Sequence, residues 1–159
     1  MGMNPTSSPI HLRQRWLAVL AHAPRDALRR HAERSLTGHT FETMRLPETG
    51  LAMVRGRIGG SGDRFNLGEA TLTRCVVRLR AATGQSTIGV GCRLGRDAER
   101  VRWMAQFDAL LQQAQHQADL RRAVIEPLQA AIGEARSLQQ ARTDASRVRF
   151  FTLDPTVAP

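Results

Sequence analysis

No lysine occurs anywhere in the chain, so all 23 of its basic residues are arginine. That absence excludes a phosphate loop of the G-x-x-x-x-G-K-[ST] type, whose lysine must reach the phosphates. Tyrosine is also missing, and the basic stretch from 45 to 102 holds Phe65 as its one phenylalanine and no tryptophan before Trp103. Modules that bind nucleic acid without sequence preference interleave aromatic with basic residues for stacking, so this composition argues against a nucleic-acid partner. Cysteine is scarce: Cys75 and Cys92 have no CxxC spacing, and each lies in a strand-like apolar run. They read as buried thiols, which excludes a disulfide framework and a zinc site. No run approaches 18 apolar residues, so the expectation is a cytoplasmic protein with neither a membrane span nor a secretory leader.

What is present is positive charge, unevenly placed. The net charge is +9, and the stretch 45–102 carries eleven arginines against five acids. A solvated arginine surface accounts for part of this. The sharper reading is a basic face that meets an anionic ligand or an acidic partner. A chain of 159 residues can bury about 70% of its unfolded surface in one core. The division expected is a disordered lead at 1–9, one domain at 10–146, and a strand-like segment and tail at 147–159.

Along the chain, Leu12, Trp16, Val19, Leu20 and Ala23 repeat at helical spacing, with Arg13, Gln14 and His22 outside the stripe. They predict a helix over 10–22, closed by Pro24. A second helix runs through Leu28, Ala32 and Leu36 to Gly38. The period then falls to two. A strand over 40–46 precedes a turn at Pro47 and Gly50. In the strand after it, Ala52, Val54, Gly56 and Ile58 form a dry face, and Arg55 and Arg57 a basic one. In the next, Thr71, Thr73, Cys75, Val77 and Leu79 oppose Arg74, Arg78 and Arg80. A last strand puts Ile88, Val90, Cys92 and Leu94 toward the core. Asp97 is placed to cap a helix with the stripe Trp103, Phe107, Leu110, Leu111 and Ala114. A further helix carries Leu120, Val124, Leu128, Ala131, Ala135 and Leu138 and is kinked near Pro127. The fold class is α+β: a central antiparallel sheet of about four strands, an N-terminal helix pair, C-terminal helices, and a strand-like RVRFFTL tail. That apolar tail needs a pairing partner, in this sheet or another chain.

Motif tests remove most self-contained chemistry. Gly89, Gly91 and Gly95 give G-x-G-x-x-x-G, one residue too long for a dinucleotide fingerprint and between two strands where a crossover helix is required. The loop Gly59, Gly60, Ser61, Gly62 reads first as a long flexible hairpin connection, with a backbone nest for an anion as the alternative. LPETG at 46–50 matches a sorting signal but lies mid-chain without the apolar segment such signals need. MGMNPT matches a myristoylation pattern with no supporting membrane signal. His22, His31 and His39 are too widely spaced for a ligand set. Glu48, Asp63, Glu69 and Asp97 come from different elements and form no carboxylate pair.

The segments RWLAVLA, PETGLAMVRGRIGGSGDRFNLGEATLTRCVVRL, GVGCRLGRD and RVRFFTL, in that order, span most of the chain. Together they resemble the PhnG family, small subunits of the bacterial carbon-phosphorus lyase machinery. Cys92 departs from the aromatic or aliphatic residue often found there, and the extreme tail is unmatched. The resemblance implies an accessory subunit of a hetero-oligomer with PhnH, PhnI and PhnJ, joined transiently by the ATPase-like PhnL. In that family MgATP and an alkylphosphonate yield ribose 1-phosphonate 5-triphosphate and adenine. PhnJ then breaks the carbon-phosphorus bond with S-adenosylmethionine and an iron-sulfur cluster. No cofactor is implied for this chain alone, and MgATP is a substrate of the complex. Arg55, Arg57, Arg74 and Arg78, with Asn66 and Glu69, are the residues expected to face a partner or the edge of a shared site. Phe150 and Phe151 are expected to serve assembly. The alternatives are a basic nucleic-acid-binding module and a purely structural scaffold.

Overall fold

Two helices, a three-stranded antiparallel meander and three further helices follow one another along the chain. The computed structural model describes residues 9–80, 84 and 86–147. Helix α1 (Pro9–His22) and helix α2 (Arg25–Ser35) are separated at Pro24, which sits at the N-cap of α2. Strands β1 (Phe41–Arg57), β2 (Arg64–Arg80) and β3 (Ser86–Leu94) pair in the order β1-β2-β3. Helix α3 (Ala98–Leu111) crosses the sheet, then α4 (Ala114–Leu120), a π-type turn at Arg121–Ile125 and α5 (Glu126–Ala145) complete the described chain. The lead expected at 1–9 lies outside the described residues except for Pro9, which opens α1. The RVRFFTL segment, with Phe150 and Phe151, lies outside them as well beyond Arg147.

The sheet has three strands rather than about four, because the strand expected at 40–46 and the one after it are a single strand. Pro47 and Gly50 do not turn the chain. Proline lacks only a donor, which an edge strand can spare, and β1 absorbs Pro47 in a ladder irregularity between Arg45 and Glu48.

Helix α3 is the centre of the core. Val101, Met104, Ala105, Phe107, Leu110 and Leu111 are buried against Cys75, Val77 and Leu79 of β2 and against Trp16, Leu20 and Leu28 of the first two helices. Asp97 caps it as expected, its carboxylate accepting the Arg100 amide at 3.1 Å. The orientation of β3 is the reverse of the expected one. Register places Cys75 opposite Gly91 and Val77 opposite Gly89, so the glycines face α3 and Ile88, Cys92 and Leu94 face outward. The reason is distance. A Cβ on Gly89 would stand 1.9 Å from the Ala105 carbonyl oxygen, and one on Gly91 1.9 Å from that of Val101. Helix and strand meet backbone to backbone, and only glycine permits it. Cys92 is therefore an exposed thiol, whereas Cys75 is buried as expected.

A buried carboxylate locks α1, α3 and the edge of β3 together. Asp108 is fully buried and accepts from Arg13 Nε at 3.1 Å, Arg13 Nη2 at 2.7 Å, Trp16 Nε1 at 2.9 Å and the Val90 amide at 2.9 Å. Arg13, expected outside the helix stripe, is thus the half-buried partner of a buried carboxylate. Gln112 Nε2 donates to the Ile88 carbonyl at 2.8 Å, and together these side chains close the outer edge of β3 against further pairing. At the C-terminus of α1, Arg93 donates to the Ala21 carbonyl at 3.2 Å and Arg100 to those of Ala21 and Ala23. Cations at a helix C-terminus satisfy its orphan carbonyls and its dipole.

Helix α5 departs from its expected stripe. Leu128 is buried, but Ala135 and Leu138 are exposed because the distal half of the helix runs past its packing partners among the described residues. Ala114 is exposed too, at the start of α4.

Candidate functional site

The site is the uncovered side of the sheet and the ribbon that continues it. The 14 residues of α3 span about 21 Å at 1.5 Å per residue, whereas the 17 residues of β1 span about 56 Å. The helices can therefore cover only the half of the ribbon near Phe41 and Leu79. The remainder, residues 50–70, extends beyond them as a two-stranded arm closed by a 3-10 turn at Ile58–Gly60. Within that turn Gly59 has φ 59° and Gly62 donates its amide to the Ile58 carbonyl at 2.9 Å. The Gly62 amide is thus spent inside the loop, which makes a tight hairpin connection.

On the uncovered face of the sheet body, arginines share glutamates. Glu48 Oε1 accepts from Arg74 Nε at 2.6 Å and from Arg45 Nη1 at 2.8 Å. Glu42 Oε2 lies 3.5 Å from Arg78 Nη1 and 3.3 Å from Arg80 Nη2. Four guanidiniums meet two carboxylates, so the face keeps a net charge of +2 among these residues. The hydrogen bond from Arg74, with the nearby charge of Arg45, holds the Glu48 carboxyl below its ordinary range. Glu48, read from sequence as open to acid-base work, is instead a bridging acceptor. Asp97 is likewise occupied, by the α3 cap and by Arg25 Nε at 3.1 Å. Beside these rows Ile88 and Leu94 add exposed apolar surface from β3.

The arm divides differently from the expectation. Thr49 bonds Thr73 at 3.0 Å on the helix side of the sheet, and Glu48 bonds Arg74 on the other. Alternation along β1 then puts Arg55 and Arg57 on the side of Thr49, opposite to Arg74 and Arg78. Ala52, Val54 and Gly56 lie on the side of Glu48 and face away from the helices; Val54 is exposed. The dry face predicted for this strand exists as a face but is not buried, because no helix among the described residues reaches it.

At the tip, Arg57 pairs across the ladder with Arg64, Gly56 with Phe65 and Arg55 with Asn66. Arg55, Gly56, Arg57 and Arg64 line one open concavity of about 390 Å³. A Cβ on Gly56 would lie 2.7 Å from Leu67 Cδ1, so Leu67 leans over that glycine. Arg57 is braced by its Nη1 donating to the Gly62 carbonyl at 3.3 Å. Glu69 stands farther down the arm, opposite Met53. Five of the six residues singled out from sequence therefore fall into two groups, with Glu69 between them. Arg55, Arg57 and Asn66 come together at the tip, and Arg74 and Arg78 lie on the sheet body with their own glutamates. Arg45 and Arg64 were missed, although Arg64 was legible as the first residue of the strand that returns from the glycine loop, and Arg80, read as facing outward, was not counted among the site residues.

Among the described residues, no group of three histidine, cysteine or acidic side chains is placed to hold a metal ion. His39 and His116, far apart in sequence, meet edge to face with ring centroids 5.1 Å apart. Burial, followed by the neighbouring His116, lowers the His39 pKa. No described helix is long and apolar enough to cross a membrane.

Comparison with known proteins gives this basic, uncovered surface a context. The chain is 49% identical over 110 residues to the alpha-D-ribose 1-methylphosphonate 5-triphosphate synthase subunit PhnG of Rhizobium meliloti (strain 1021), which covers 69% of this chain and 67% of that protein. The family described as phosphonate metabolism protein PhnG matches residues 11–154, a span that includes the helix pair, the whole sheet with its arm, and α3 to α5. The chain belongs to the PhnG family of phosphonate metabolism proteins.

Proposed function

We propose that this chain is an accessory subunit of a hetero-oligomeric transferase that moves the ribose triphosphate part of MgATP onto an alkylphosphonate and releases adenine. The observation that carries the reading is the 49% identity to a protein named as a subunit of such a synthase. Its partners are PhnH-, PhnI- and PhnJ-like subunits, with a PhnL-like protein joining transiently, and the assembly works in the cytoplasm. The chain binds no cofactor of its own, and MgATP enters as substrate of the complex. The bond-making groups belong to the partners.

The physical contribution of this chain is preorganised positive charge. Triphosphate and phosphonate are both anionic, and guanidiniums fixed before the substrate arrives stabilise such charge without reorganisation. Arg74 and Arg78 are suited to that task, since Glu48 and Glu42 hold them in place while leaving the face net positive. Arg55 and Arg57, with Asn66 and Glu69 nearby, serve contact with a partner. Replacing Arg57 by alanine is expected to weaken assembly, and replacing Arg74 by alanine to raise the complex's KM for nucleotide about tenfold. Assembled complexes of undiminished activity and nucleotide affinity would contradict these roles.

A further inference from the structure

We propose that the arm is the element by which this chain enters a partner subunit, seated in a cleft lined by apolar side chains with carboxylates facing the tip arginines. The inference rests on the subunit reading above and names the part that makes the contact. A two-stranded ribbon without a third layer is marginal in water, yet this one carries exposed apolar side chains on both faces. Phe65 and Leu67, 42% and 61% exposed, lie with Val54 on one side. Leu51 and Met53, 65% and 52% exposed, lie on the other. Contact on one face would leave the second wet, so the surface fits insertion better than lateral packing.

The tip states the charge of what receives it. Arg57 and Arg64 stand directly opposite each other in the ladder, an arrangement that repels. Among the described residues, none of Arg55, Arg57 and Arg64 forms an ion pair, in contrast to the arginines of the sheet body. A carboxylate-bearing wall offsets that repulsion. A second copy of this chain is a poor occupant, because it brings the same +9 charge and the same arginine-bearing tip. A free phosphoryl group or a nucleic acid would satisfy the guanidiniums but leave Leu51, Met53 and Leu67 exposed. A protein partner satisfies both.

The test co-expresses the tagged full chain with the other synthase subunits and measures partner retained at about 150 mM salt. It compares the natural chain with Arg57→Glu/Arg64→Glu and with Phe65→Ser/Leu67→Ser. Each double variant is expected to retain about tenfold less partner, or lower still. Melting of each isolated variant is expected to match the natural chain, since the arm lies outside the core. Undiminished retention by both variants overturns the proposal. So does retention with a raised KM for nucleotide, which would assign the tip to substrate, and so does self-association of the isolated chain that the same substitutions abolish. If the natural chain itself retains no partner, it is the subunit reading that falls.

Discussion

Gly89 and Gly91 carry more of the fold than their size suggests. Each marks a point where the α3 backbone touches β3, and any side chain there would collide with a carbonyl that cannot move without breaking the helix. Gly89→Ala or Gly91→Ala is therefore expected to cost about 3 kcal/mol or more, the upper range for overpacking, and urea unfolding of the single variants measures it. Reading these glycines as parts of a dinucleotide fingerprint fails, but the same pattern was the legible sign of close helix-strand approach. Their inward orientation also turns Cys92 outward and so separates the two thiols. Cys92 is exposed, and Cys75 is buried with its pKa raised by that burial against the weaker opposing charge of Arg102. A thiol reagent at neutral pH is expected to modify Cys92 in the native protein and Cys75 only after unfolding; peptide mapping of the labelled chain distinguishes them. Labelling of Cys75 first would mean that the register of β2 and β3 is wrong.

At the scale of elements, the strands show where sequence reasoning succeeds and where it stops. Period-two alternation placed Thr73, Cys75, Val77 and Leu79 inward and Arg74, Arg78 and Arg80 outward, as found. The same rule misled for Ala52, Val54 and Ile58, because alternation defines two faces and not which of them a helix covers. That depends on the lengths of α3 and β1, which are set by elements far apart in the chain. Asp108 was invisible for a related reason: an acid on the buried face of a helix gives no sign that Arg13 and Trp16, over 90 residues earlier, will meet it. The rows of shared glutamates were legible only as a charge excess. They make a pH-dependent prediction. Glu48 has a lowered pKa, so its bridge is present above the ordinary carboxyl range and is lost as pH falls through that lowered value. Because Glu48 is exposed, the consequence is a more positive face and not a loss of stability. Carbon-detected NMR titration is expected to place Glu48 below the ordinary glutamate value, and Arg74→Ala to return it toward that value, since the Arg74 hydrogen bond is the leading cause. A midpoint unmoved by that substitution would contradict the bridge.

For the whole molecule, the organisation is one core with one side left open. Helices α1 to α3 and the turn before α5 bury a single cluster on one face of the sheet, Asp108 and Gln112 close the β3 edge, and the opposite face, the arm and the distal half of α5 remain uncovered among the described residues. Positive charge gathers on that open side. A molecule built this way fits a role completed by other chains, which agrees with its membership of the PhnG family. The central claim is tested most directly by reconstitution, following adenine released from MgATP and methylphosphonate. No release is expected from this chain alone or from the other synthase subunits without it, and release is expected when they are combined. Release by the isolated chain, or undiminished release by the others in its absence, would contradict it.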